Sequence, residues 1–457
     1  MRSQVVPTGK SHEVGVEDMF FSTTDRKGVI EQANSVFLRI ARYQLEDLVG
    51  APHNIIRHPD MPGGAFQLTW DMLLAETPTC AYVKNLAGDG SAYWAFATIV
   101  PVGDGYLSVR TRPCREDLLE AADHIYMRVR TRELQERLNK TSAHACAVKG
   151  AEWIQEELQE IGFNSYLDFI LAALPAEVEA RAALTDGIPQ RDEATGGLAE
   201  MLTSITAIES IVTRLSGELV TFQAQADQLS LHVDKAAQIV TTLDGVLDEA
   251  TQTVERYANR GPVLASSIPA LHTQNTAALN SMNALLEHVD DLRIRRSELR
   301  FSVALSQLQA EAAGRFVVEL IEGGYEGSDA VTAIRDLVTA LEFGLTYLAN
   351  DLQWNVDMAA SMSNEIGYAR NAFAQMQSLL AHWRLLVPRY DLTREMEAHM
   401  PVLDRTLAEG VLELAGLAAQ AGEFTTAAVG FDVDLLMSEL RNVLARLQDL
   451  HVSAGPN

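Results

Sequence analysis

The sequence predicts an α+β fold: a five-stranded antiparallel sheet with short helices, followed by an all-α region of long helices packed as a bundle or coiled coil. Three observations lead there. Up to about residue 113 turn residues are frequent and apolar runs short; beyond it glycine is sparse and Ala, Leu, Glu and Gln dominate. Two "GDG" turns, at 88–90 and 103–105, separate strand-like runs, and Asp-Gly is a strong hairpin signal. From Leu198 to Tyr257 apolar residues recur at alternating steps of three and four, the spacing of a helical seam.

In chain order, residues 1–18 read as a tail and 19–113 as the mixed domain. "MFFSTTD" (19–25) and "GVIEQAN" (28–34) form a hairpin about the turn at Asp25–Gly28. "SVFLRIARY" (35–43) is a short helix with Asn34 or Ser35 as cap, and "QLEDLVG" a single-turn helix ending at Gly50. The segment "HNIIRHPDMP" (53–62) leads to a helix near 64–75. Strands at 80–86, 92–102 and 106–112 close the sheet.

Residues 114–141 carry an amphipathic connecting helix, with Leu118, Ala122, Ile125, Val129 and Leu138 on one side. Only Pro113 and Cys114 separate it from the last strand, and Pro113 stiffens that joint. Residues 142–194 are a short helical segment, and 195–450 a long-helix bundle with a tail at 451–457. Within the bundle, "NRGP" (259–262) and Pro269 end the first helix, and a second runs from about 271 to 322. A third, capped by Ser328 or Asp329, runs to Pro388; a fourth runs from about 392 to 450, interrupted near Gly422 and Gly430. Long helices with short breaks point to an antiparallel four-helix bundle or a dimer of hairpins.

Of the 457 residues 47% are hydrophobic, enough for sizeable cores, and the formal net charge is −26. That charge disfavours nucleic acid and anionic membranes and favours partners with basic patches. Three cysteines without a C-x-x-C pair suit a reducing, cytoplasmic setting. No apolar run reaches the ~18–20 residues of a membrane helix, and the N-terminus lacks a signal-peptide core. G-x-S-x-G, Walker, Rossmann and H-E-x-x-H patterns are missing, so an enzyme is not expected.

The densest chemistry is "HNIIRHPDMP". His53, His58 and Asp60 are possible metal ligands, but their spacing fits no standard motif and Arg57 repels a cation. A structural reading has Pro59 and Pro62 fixing the backbone, Asp60 capping the next helix and Arg57 neutralising it. A third reading is an anionic cofactor pocket: the Arg57 fork suits a pyrophosphate, His58 stacks or donates a hydrogen bond, and Asp60 orients them.

"STTD" (22–25), "AN" before the first helix, "Y-x-L-E-D-L-x-G-x-P-H-N" (43–54), "RHPDMP" (57–62), "AF-x-x-x-W" (65–70), "VKN" (83–85), "YW" (93–94) and "SVRTRP" (108–113) together resemble a PAS domain, in particular that of bacterial aerotaxis (Aer-type) receptors. The resemblance implies a bound FAD beside Arg57, His58 and Asp60. By position, Asn34 caps the first helix or bonds the ligand, Trp70 packs on a flavin edge or adenine or belongs to the core, and Asn85 and Trp94 sit on strands where a flavin ring rests. It further implies a cytoplasmic redox or oxygen sensor for aerotaxis-type signal transduction, whose 115–138 helix passes a change in flavin charge to the bundle. A homodimer and a signalling partner are expected. The Gly/Ala/Glu-rich hairpin tip that docks a kinase and coupling protein in chemoreceptors is not found; "AEAAGRF" (310–316) is a faint echo of it. Two alternatives stand: a scaffold with a cofactor-free PAS dimerisation module, and a haem sensor with His58 or His53 as axial ligand.

Overall fold

The computed structural model describes residues 5–325 and 329–454. Five strands form one antiparallel sheet: β1 Met19–Asp25, β2 Ile30–Ala33, β3 Thr79–Leu86, β4 Ala92–Val102 and β5 Gly105–Thr111. Their spatial order is β2-β1-β5-β4-β3. Tight turns set the local pairings. Asp25 Oδ1 accepts from the N–H groups of Lys27 and Val29, both at 2.8 Å, and Gly28 takes φ +76°. β5 then slots between β1 and β4, which makes it the central strand and buries every one of its residues.

Between β2 and β3 the chain forms α1 Ser35–Ala41, α2 Leu45–Leu48, a 3-10 turn His53–Ile56 and α3 Gly63–Leu74. Asn34 caps α1, its Oδ1 accepting from Phe37 N at 3.3 Å and from Phe21 N at 3.1 Å. The connecting chain runs along β2, with Gly50 N donating to Ile30 O at 2.8 Å and Ile30 N to Ala51 O at 2.9 Å. It then reaches β3, where Arg57 bridges Asn85 and His58 N donates to Lys84 O at 3.3 Å. Because β2 and β3 are the two edges, residues 50–58 cross one face of the sheet from edge to edge.

α4 Glu116–Leu138, α5 Ala143–Glu160 and α6 Tyr166–Ala182 follow. α3 and α5 meet glycine to glycine: a Cβ on Gly64 would run into the backbone of Gly150. The opposite face of the sheet carries Phe21, edge-to-face with Phe316 at 5.0 Å, and Tyr82, packed on Phe96 and Phe169. Four long helices and a shorter one complete the chain: α7 Gly197–Arg256, α8 Pro262–Ile321, α9 Ala330–Arg389, α10 Met400–Val429 and α11 Val433–Ala454. None of the described helices is long and apolar enough to cross a membrane.

The chain divides into two compact units. The first holds the sheet domain, α4–α6, the start of α7, the end of α8, the start of α9, and α11. The second comprises 217–296 and 350–432. Within it four helical segments close a ring. α7 meets α8 through Asn275, which donates to Asp244. α8 meets α9 where Trp383 Nε1 donates to Ser267 Oγ at 2.7 Å. Arg384 pairs with Asp404 at 2.6 Å between α9 and α10, and Phe222 stacks on Phe424 at 4.8 Å between α10 and α7.

The seam anticipated from Leu198 to Tyr257 is buried apart from Ala226 and the two end residues, Leu198 and Tyr257, which are half-buried. Two of the anticipated breaks differ, and one cap is as anticipated. Pro269 lies inside α8, which begins at Pro262. Buried Ile268 and Leu271 hold it in the core, so packing outweighs the single backbone hydrogen bond a proline forfeits. Gly422 lies within α10, and the break falls only at Gly430. Asp329 caps α9 by accepting from Thr332 N at 2.9 Å, whereas Ser328 lies outside the described residues.

The seam makes a direct prediction. Leu229 is 0% exposed and Leu231 is 61% exposed. Leu229→Ala is expected to destabilise by about 2–5 kcal/mol and Leu231→Ala by less than about 0.5 kcal/mol, read from urea titrations followed by far-UV circular dichroism. Equal effects would show that the stripe is not a buried seam.

Candidate ligand site

Residues 50–58 and α3 roof a cavity of about 310 Å³ over the crossed face of the sheet. Alternation along the strands decides which side chains form its floor. Tyr106, Ser108 and Arg110 come from β5, Ala97 and Ile99 from β4, Val83 and Asn85 from β3, and Thr24 from β1. The roof supplies His53, Arg57, Phe66, Thr69, Trp70 and Leu73, and the β1–β2 turn supplies Lys27 and Gly28. Gly28 is required twice over: its φ is left-handed, and a Cβ there would stand 3.3 Å from the Trp70 ring.

The floor is polar and only partly satisfied. Ser108 Oγ is buried without a hydrogen-bond partner. Asn85, 1% exposed, donates to Val83 O at 3.2 Å. Arg110, 4% exposed, donates to Ser22 Oγ at 3.1 Å and bonds His53 Nε2 at 2.6 Å. Burial lowers its pKa to about 10, so it is still charged at neutral pH. Burial first, and then the Arg110 charge, hold the His53 imidazole well below its ordinary pKa. Nε2 of neutral His53 therefore accepts from Arg110, which puts the ring proton on Nδ1.

Arg57 stands at the roof, with its guanidinium 4.3 Å over Phe66 and its Nη2 donating to Met61 O at 2.8 Å. Burial, then Arg130, lower its pKa. Trp70 meets Tyr106 edge-on at 5.5 Å.

Of the residues singled out from the sequence, Arg57, Trp70 and Asn85 line this cavity. Asn34 faces α1 as its cap. His58, Asp60 and Trp94 line a separate cleft together with Lys84 and the N-terminal segment. Register explains Trp94: Asn85 pairs with Tyr93 and Lys84 with Trp94, so Trp94 shares a face with Lys84 and not with Asn85. Asp60 binds Lys84 Nζ at 2.8 Å, a bond that lowers the carboxylate's pKa. It does not cap α3. The N–H groups of Gly63 and Gly64 donate instead to Glu133 of α4, at 2.9 and 2.8 Å, because Pro62, at the cap position, makes no side-chain bond to them.

Sequence reasoning passed over Arg110, Ser108, Tyr106, Thr24 and Lys27. The signal was present in "YLSVRTR", where a period of two sets Tyr106, Ser108 and Arg110 on one face and puts a cation at the middle of a strand.

No family model matches the chain. The aerotaxis receptor of Escherichia coli (strain K12) is 34% identical over 145 residues, which is 31% of this chain and 28% of that receptor. The match therefore spans under a third of either protein. Similar solved structures include the light state of the blue-light photoreceptor Aureochrome1 LOV, 20% identical over 22% of this chain and 87% of that one, with a TM-score of 0.21. A light-oxygen-voltage domain with a flavin analogue is 21% identical over 27% of this chain and 90% of that one, also at 0.21. Likeness at those scores carries no functional argument. The sheet order and the receptor match, confined to this part of the chain, agree on a PAS-like fold for the N-terminal domain.

The buried His53 has a measurable consequence. Its folded pKa lies below the unfolded value of about 6.5. Below that pH the unfolded chain takes up a proton that the folded chain refuses. This group's contribution to stability is thus complete above about pH 6.5 and is lost as pH falls. The His53 imidazole resonance is expected to stay constant through the range around pH 6.5 in which a free imidazole titrates. A midpoint near 6.5 would contradict the buried, Arg110-bonded ring.

Proposed function

We propose that the protein is a redox or oxygen sensor that holds FAD in the roofed cavity of its PAS domain. The observation that carries this reading is the make-up of the cavity: aromatic walls, unsatisfied polar groups on the floor, and cations on the floor, the roof and the β1–β2 turn in a chain of net charge −26. About 310 Å³ is at the small end of ligand pockets, about 300–1,000 Å³, and suits a planar ring system rather than a whole dinucleotide. The phosphates then belong beside Arg57 of the roof, which offers a planar fork of donors, with Lys27 on the β1–β2 turn as a second charge lining the cavity. Asn85 and Ser108 supply hydrogen bonds to the ring edge, and Phe66 and Trp70 close its sides against water. When bound, the flavin supplies reversible electron and proton uptake. The chain's own part is to hold the ring and respond to its charge.

Three buried carboxylates support a route outward. Glu133, 2% exposed, ties the start of α3, and so the cavity roof, to α4. Glu177 of α6, 3% exposed, accepts from Cys114 N and Tyr82 OH at 2.6 Å and from Arg115 N at 3.1 Å, so it holds the joint between β5 and α4. One turn further along α6, Arg181 pairs with Glu311 of α8 at 2.8 Å. In this reading α6 shares with α4 the task of passing a change at the floor to the long helices.

Two measurements test the proposal. After reconstitution with FAD, Arg57→Ala is expected to weaken retention about tenfold or more, equivalent to about 1.4 kcal/mol, while Trp94→Ala retains flavin as the wild type does. Equal losses would place the ligand elsewhere, and absence of a flavin spectrum from the wild-type protein would end the reading. Hydrogen exchange over residues 116–138 and 166–182 is expected to differ between oxidised and reduced protein. Identical protection, with a confirmed change in the flavin spectrum, would remove both helices from the route.

A further inference from the structure

Arg110 does more than line the floor. It lies on the central strand, is 4% exposed and borders the cavity. Its polar partners, Ser22 at 3.1 Å and neutral His53 at 2.6 Å, carry no negative charge. Phe37 and Phe20 present ring faces at 5.3 and 6.0 Å. No carboxylate among the described residues pairs with it, although the chain has 62 acidic residues against 36 Lys and Arg. The contrast with Arg181 is direct. That arginine, equally buried, has Glu311 at 2.8 Å. An arginine cannot shed its charge near neutral pH, and a buried cation without a counter-charge is strongly unfavourable. The fold keeps one facing the cavity, fixed in direction by His53, whose Nε2 can only accept.

We propose that Arg110 sets the charge state the pocket favours: it holds the bound ring more tightly once reduction has given that ring a negative charge, and so raises the cofactor's reduction potential. This rests on the flavin reading above. The balance is simple. Two electrons and one proton taken up by the oxidised ring leave one negative charge, and Arg110 is the buried cation placed to meet it. The electrons come from an external two-electron donor, dithionite in the test. Because Arg110 belongs to β5, whose end Glu177 fastens to α6, a charge drawn toward this side chain acts on the strand that leads out of the domain.

The test uses the full-length chain loaded with FAD and titrated with dithionite against reference dyes. Arg110→Gln is expected to lower the reduction potential by about 30 mV or more, the equivalent of a tenfold loss of preference for the reduced form in a two-electron couple. Arg110→Lys, which keeps the charge, is expected to stay close to the wild-type potential. Without flavin, Arg110→Gln is expected to melt no lower than wild type, since it removes an uncompensated buried cation. An unchanged potential in Arg110→Gln overturns the proposal, and a lowered melting point beside it marks a purely structural arginine. If Arg110→Gln fails to retain flavin, Arg110→Lys decides: the wild-type potential supports the proposal, and a fall of that size overturns it. A wild-type chain that takes up no FAD overturns the flavin reading and this inference together, whereas one that binds FAD with a potential indifferent to residue 110 overturns this inference alone.

Discussion

The first unit depends on one recurring interaction: a carboxylate from a later helix, buried or half-buried, placed at the N-terminus of an earlier one. The first turn of any α-helix leaves N–H groups without intrahelical partners, and a negative charge there is also favoured by the helix dipole. α3 and α4 have no side-chain cap of their own. Glu133 serves α3 and Glu177 serves α4. α1 has Asn34, and Glu319 of α8 adds to it by accepting from Ser35 N at 3.1 Å. Each contact is charge-assisted, and each joins segments far apart in sequence. Removing Glu133 would strand the buried Gly64 N–H, at a cost of about 1–3 kcal/mol. The order of helices around the sheet is thus fixed by hydrogen bonds as much as by apolar packing.

The same pattern separates what is legible in the sequence from what is not. The sheet is legible because its turns are local: Asp25–Gly28 and the two "GDG" motifs fix their own hairpins. The long seams are legible because steps of three and four sustained along the 60 residues of α7 fit a buried helical stripe and little else. Asp60 resembles a helix cap because Asp before a helix usually is one. The residue that does the capping lies 70 positions away in α4, where nothing local marks it. Trp94 sits on a strand of the expected ring-binding sheet, but the pairing of Lys84 with Trp94 and of Asn85 with Tyr93 turns it to the other face.

"AEAAGRF" shows a different limit. Its small residues faintly resemble an exposed tip. In the structure Ala310, Ala312, Ala313 and Phe316 are all buried, and Gly314 stands where a Cβ would collide with Ile188. Small residues there permit close approach of neighbouring elements, a use that composition alone does not separate from a docking surface. The buried polar atoms nearby, Ser306 Oγ and both amide atoms of Gln309, have no partner. Gln309 fills the space that the absent side chain of Gly344 leaves on α9, so the match between α8 and α9 is one of shape more than of hydrogen bonding.

The path of residues 50–58 has a meaning beyond the cavity. An open sheet has two edges whose unpaired backbone groups can recruit strands from other molecules. Here one short segment shields both, lying against β2 at Ile30 and against β3 at Lys84 and Asn85. The stretch that roofs the ligand space is therefore also the guard against edge-to-edge aggregation. Loosening it far enough to admit a large ligand uncovers sticky strand edges at the same moment. Pro52 stiffens this stretch, and Pro59 and Pro62 the chain that follows it, so the cover over the strand edges and the shape of the cavity are held together.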